Sequence, residues 1–213
     1  MAVDVKICGL SDEAAVAAAV EGGAAMVGFI FFPPSPRFIT VKRASELTKG
    51  IPKDVTRVGL VVDANDQWLA EIVSDAGIDM LQLHGQETPK RTYEIRQRFG
   101  LPIIKALPVQ ESTDLAKASK FEGVVERLMF DAKPPEGASR PGGNARSFDW
   151  SLLSETKFNF PWILAGGLTV DNVGNAVKIS GAKTVDVSSG VEDASGRKNL
   201  EKIRIFLAAS SAL

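Results

Sequence analysis

Rhythm is the feature that most constrains this chain. Short apolar runs rich in Val, Ile, Leu and Phe alternate with longer stretches of helical periodicity, and no linker or composition shift divides them. Strands are expected near Val5–Cys8, Met26–Ile30, Arg57–Val62, Met80–Leu83, Pro102–Ala106, Arg127–Phe130, Trp162–Ala165 and Thr184–Val187. Helices are expected over Val41–Lys49, Asn65–Ala76, Thr88–Phe99, Thr113–Lys120, Asp149–Ser154, Val170–Ser180 and Asn199–Ala208. An earlier helix is marked by Ser11 as its N-cap, Asp12 and Glu13 in its first turn, and Gly22 and Gly23 at its end. Eight strand–helix units in 213 residues predict a closed parallel (β/α)8 barrel, one domain over residues 1–213. An open doubly wound sheet is the alternative.

A barrel of this kind carries its chemistry at the C-terminal ends of its strands. Its outward strand faces pack under helices and must be apolar, so strand alternation separates inside from outside. In VKIC, MLQLH, RLMFD and TVDVS the apolar partners are Val5 and Ile7, Leu81 and Leu83, Leu128 and Phe130, Val185 and Val187. The opposite faces carry Lys6, Cys8, Gln82, His84, Asp131, Asp186 and Ser188, which are therefore expected to converge on the barrel mouth. Stability alone does not explain seven polar groups in one space, because burial is costly for each that lacks a partner. Lys6 and Asp186 lie on strands adjacent in a closed barrel and are expected to pair.

Two segments suggest an anion site. LAGGLTVDN ends the seventh strand at Gly166 and Gly167 and leads to a helix expected to be capped by Thr169; VDVSSGVED ends the eighth at Ser188, Ser189 and Gly190. Glycines admit close backbone approach and serines add hydroxyl donors, a combination suited to phosphate after strands seven and eight.

Composition removes other classes. A net charge of −1 leaves no electrostatic footprint for nucleic acid or an anionic membrane, and one cysteine with one histidine makes neither a disulfide nor a Cys/His metal cage. MVGFIFFPP is far shorter than the ~20 apolar residues of a membrane span, and no signal-peptide pattern opens the sequence. A cytoplasmic, metal-free and cofactor-free monomer or homodimer is expected.

KICGL, GFIFFPPSPRFIT, LQLHG, FDAKPP, GG…FDW, ILAGGLTVDNV and VDVSSGVED…KIRIF, in this order over almost the whole chain, resemble the phosphoribosylanthranilate isomerases of tryptophan biosynthesis. The resemblance implies an Amadori rearrangement of a phosphosugar-anthranilate. It places the general base at Cys8, the general acid at Asp131, the phosphate on the two loops above, and the anthranilate carboxylate at Arg37. Gln82, His84 and Asp186 are expected near the substrate. An unassisted thiol is a poor base at neutral pH, and Lys6 is the group placed to favour thiolate.

The chain departs from the pattern in the Pro/Gly-rich segment Ala132 to Ser147, longer than the ~12–15 residues of ordinary loops and a candidate lid. Asn144-Ala145-Arg146 stands there where the family has a small hydroxyl residue, glycine and a basic residue. Three rival readings remain: the histidine-pathway aminoaldose isomerase, which uses an aspartate where Cys8 stands, a noncatalytic sugar-phosphate binding barrel, and a scaffold role.

Overall fold

The computed structural model describes residues 3–138, 140–143 and 146–213. Eight parallel strands close into a barrel in sequence order, β1 (Asp4–Cys8), β2 (Met26–Ile30), β3 (Thr56–Val61), β4 (Met80–Leu83), β5 (Ile103–Val109), β6 (Arg127–Ala132), β7 (Trp162–Leu164) and β8 (Thr184–Val187), with β8 pairing back onto β1. The open-sheet alternative is excluded. Helices α1 (Glu13–Glu21), α2 (Val41–Thr48), α3 (Asp66–Asp75), α4 (Pro89–Phe99), α5 (Ser112–Leu115), α6 (Ser151–Ser154), α7 (Val173–Ser180) and α8 (Leu200–Ser211) follow the strands.

The expected division into inside and outside holds. Val5, Ile7, Leu81, Leu83, Leu128, Phe130, Val185 and Val187 belong to the large apolar layer shared with the helices, where Leu69 and Ile72 of α3 are also fully buried. Each such side chain contributes roughly 1.5–3 kcal/mol. A second cluster, including Met26, Val58, Met80, Ile104, Met129 and Ile163, plugs the barrel interior. Above this plug the inward side chains become polar.

Local chemistry moved several boundaries. Asp12, not Ser11, caps α1, its carboxylate accepting from Ala15 N at 2.9 Å. Thr169 does not cap α7: its own N–H donates to Asn172 Oδ1 (2.8 Å), and Asn172 Nδ2 donates to Gly167 O (2.9 Å), so the asparagine braces the turn after β7. The helix expected over Thr113–Lys120 is only α5 followed by a 3-10 turn at Ala118–Phe121, and α5 starts one residue early, at Ser112, where Asp114 accepts from Gln110 N and Glu111 N. Strands β5 and β6 both run beyond their expected ends, pairing Pro108 with Asp131 and Val109 with Ala132. Asp131 thus sits on a paired strand, which fixes the direction of its side chain.

One element had no counterpart in the sequence reading. Between β8 and α8 the chain forms a small antiparallel hairpin, β9 (Glu192–Ala194) and β10 (Arg197–Lys198).

Candidate active site

A cavity opens at the C-terminal end of the barrel and encloses about 770 Å³ of empty space, open solvent at the mouth included. Cys8, Arg37, Gln82, His84, Asp131, Asp186, Gly166, Gly167, Ser188 and Ser189 all line it. Of the residues expected at the mouth, Lys6, which is fully buried beneath it, and Gly190 are absent from the lining; that glycine is nevertheless required. Its role is steric: a Cβ there would sit 1.9 Å from Leu168 O, so glycine is what lets the loops after β7 and β8 meet.

Lys6 and Asp186 are direct neighbours in the β1–β8 register and form a buried ion pair of 2.7 Å. Burial alone would push the Lys6 ammonium down, but Asp186 and the sulfur of Cys8 outweigh it and hold Lys6 above the ordinary lysine range. Cys8 is nearly sealed from solvent, with Ile30 and Leu60 beside it. Gly28 of β2 faces both groups: a Cβ on it would lie 3.0 Å from Cys8 Sγ and 3.0 Å from Lys6 Nζ. The expectation that Lys6 makes Cys8 a ready thiolate is only half met. Burial pushes the thiol up, Lys6 pulls it down, Asp186 pushes it up again, and the balance lies above the ordinary thiol value. Lys198 adds a smaller downward pull, and desolvation still wins because neither ammonium replaces water around the sulfur.

Across the cavity Asp131 accepts from Ala132 N through Oδ1 (2.8 Å) and meets His84 Nε2 through Oδ2 at 3.2 Å. His84 Nδ1 lies 2.9 Å from Gln82 Nε2. The loop that carries His84 is clamped from behind, where Glu87 accepts from Gly85 N and Asp63 N and pairs with buried Lys105 at 2.8 Å.

Arg37 reaches the cavity with its Nε and Nη2 edge held by Glu192 of β9 at 2.6 and 2.8 Å. The remaining Nη1 end faces Gly143 at the mouth, where a Cβ would come within 2.8 Å of it. Lys198 of β10 completes the knot, donating to Glu192 Oε1 (2.7 Å) and Ser188 O (2.9 Å). Arg37 and Lys198 together hold the Glu192 carboxyl down to about 2, against the upward push of burial. Ser188 is not simply a phosphate donor either, since its hydroxyl donates to Cys8 O at 3.0 Å. It thereby ties the end of β1 to the loop after β8.

Glu192 and Lys198 are the site residues that sequence reasoning missed. The signal available was EDASGRK, a turn centred on Ser-Gly between opposite charges, with Gly196 at φ 84°. Of the long segment after β6, Arg140 to Gly143 and Arg146 line the cavity. Asn144 and Ala145, where the sequence departs from the expected pattern, lie outside the described residues.

The model of the N-(5'phosphoribosyl)anthranilate (PRA) isomerase family matches residues 5–209. The chain belongs to that family. It is 55% identical over 210 residues to the N-(5'-phosphoribosyl)anthranilate isomerase of Paramagnetospirillum magneticum, covering 99% of this chain and 98% of the relative. Among solved structures, the Thermotoga maritima phosphoribosyl anthranilate isomerase superposes with a TM-score of 0.88 at 33% identity, covering 99% of this chain and all of that one. A family structure in complex with reduced 1-(o-carboxyphenylamino)-1-deoxyribulose 5-phosphate superposes with a TM-score of 0.86 at 31% identity, with the same coverage. Membership lends the mouth described above a specific chemistry to be tested.

Proposed function

We propose that this chain, as one catalytic barrel domain, converts N-(5'-phosphoribosyl)anthranilate into 1-(2-carboxyphenylamino)-1-deoxy-D-ribulose 5-phosphate in tryptophan biosynthesis. The observation that carries the reading is the convergence of Cys8 and Asp131 with the loops after β7 and β8 on one cavity. Asp131 in its acid form gives its proton to the furanose ring oxygen, the C1–O bond breaks, and the anthranilate nitrogen supplies the electron pair that makes an iminium. Cys8, its own proton given up to water at the mouth, removes the C2 proton as thiolate, and the electrons collapse onto the iminium, giving an enolamine. Loss of the C2 hydroxyl proton and protonation at C1 yield the ketose, with no net gain or loss of atoms.

The resting thiol suits this order of events. An iminium cation in the cavity attracts the thiolate and offsets part of the desolvation that holds Cys8 up, so the base strengthens only after the ring has opened. In this reading Ser189, Gly166 and Gly167, which line the same cavity, take the phosphate, and Arg37 offers its Nη1 end to the anthranilate carboxylate. No helix among the described residues is long and apolar enough to cross a membrane, and we place the enzyme in the cytoplasm.

The test is loss of phosphoribosylanthranilate fluorescence with purified protein. Cys8→Ala and Asp131→Asn should each lower kcat by ~10²–10⁴ while KM stays within a few fold. A folded Cys8→Ala enzyme with wild-type kcat would make the thiol a packing residue.

A further inference from the structure

We infer that Gln82 is a positioning residue for the acid, its carboxamide fixing which nitrogen of His84 carries the proton that faces Asp131. The inference rests on the acid role of Asp131 proposed above and extends it one layer inward. Gln82 is fully buried on β4, and its Nε2 sits 2.9 Å from His84 Nδ1 and 3.3 Å from Met129 Sδ. An amide NH2 only donates, so Nδ1 must present its lone pair. The ring proton then lies on Nε2, where it donates to Asp131 Oδ2 at 3.2 Å.

The cost of this arrangement is visible. Gln82 Oε1 is buried with no hydrogen-bond partner. A half-turn of the amide would aim Oε1 at Nδ1, but it would also set Oε1 against Met129 Sδ and leave the two Nε2 hydrogens where Oε1 now finds no partner. Two buried donors without acceptors cost more than one unpaired acceptor. The orphaned oxygen is the smaller of the two costs.

The chemical result is directional. With Nε2 already protonated and Nδ1 occupied, His84 has no site for the proton of Asp131, so that proton can leave only toward the substrate. After transfer, the same Nε2–H stabilises the carboxylate left behind. Gly142 covers the pair so closely that a Cβ there would lie 2.7 Å from His84 Nε2 and 2.8 Å from Asp131 Oδ2. The other charged or titratable groups facing the pair across the cavity are Cys8, Asp186, Arg37, Arg140 and Arg146. Behind the loop stand Glu87 and Lys105, which pair with each other.

His84 is the only histidine in the sequence, so imidazole 15N NMR reports it without assignment. In the neutral form of the wild-type ring the proton should be found on Nε2. Gln82→Met, close in size and apolar, should let the Nδ1–H form appear and lower kcat by about tenfold with KM nearly constant. Gln82→Glu places an acceptor on Nδ1, so both ring nitrogens should carry protons and the high-pH limb of kcat should move. If Gln82→Glu fails to fold, the wild-type spectrum and Gln82→Met still decide. A wild-type Nδ1–H tautomer, or a folded Gln82→Met enzyme with unchanged spectrum and kcat, overturns the inference. If wild type shows the Nε2–H form yet does not turn over phosphoribosylanthranilate, the proposed function fails and the tautomer assignment stands.

Discussion

Replacing Lys6 with methionine separates its two roles, as partner of Asp186 and as the cation beside Cys8. At 2.7 Å, with the lysine side chain fully buried and Asp186 nearly so, the gross Coulomb attraction is ~6 kcal/mol at an effective dielectric of about 20. Desolvation of both ions consumes much of it, but removing one partner strands the other, so Lys6→Met should cost about 3–5 kcal/mol. Lys6 is held above its ordinary value, so its contribution is fully present below the ordinary lysine range and is lost only as pH rises through the higher folded value. The loss should therefore appear undiminished in urea unfolding at pH 7. The second effect falls on Cys8, which loses its largest downward influence and keeps the upward push of burial and Asp186. As the only cysteine, its alkylation by iodoacetamide is a direct readout. Wild-type protein should alkylate more slowly than an unperturbed thiol near pH 8, and Lys6→Met more slowly still, about tenfold for each unit of further rise. Lys6→Met/Asp186→Leu should regain most of the stability while alkylating more slowly than wild type. A Lys6→Met protein that loses stability but keeps the wild-type alkylation profile would show that the lysine does not act on Cys8.

Glu192→Gln should raise KM, because Arg37 loses the carboxylate that holds its Nε and Nη2 edge. Its folded value of about 2 lies below the ordinary 4.5, so the stability it contributes is present above the ordinary value and lost as pH falls toward about 2. The variant should lose up to ~3 kcal/mol at pH 7 and show a flatter acid-unfolding curve over that window, measured by circular dichroism. Ser189→Glu puts a carboxylate on the proposed phosphate loop and should raise KM at least tenfold; an unchanged KM in the folded variant would place the phosphate elsewhere.

Much of this site was legible in the sequence because strand alternation is a local property. Once Lys6, Cys8, Gln82, His84, Asp131, Asp186 and Ser188 share faces opposite apolar residues, a closed barrel leaves them nowhere to point except inward. The pairing of Lys6 with Asp186 follows from closure alone, since β1 and β8 are then neighbours. What a side chain does with its hydrogen bonds depends on neighbours distant in sequence. The carboxylate that pairs with the Nε and Nη2 edge of Arg37 is 155 positions away, on a hairpin too short to have a periodicity. Ser188 looked like a phosphate donor until folding brought Cys8 O within 3.0 Å. The thiol of Cys8 depended on the contest between burial and the charges of Lys6, Asp186 and Lys198, which sequence cannot weigh, because desolvation is a property of the packed surroundings. Alternation and chain order thus determined which groups reach the mouth; only the tertiary structure decided which are already bonded there, because hydrogen bonds and solvation are settled by three-dimensional proximity rather than by place along the chain.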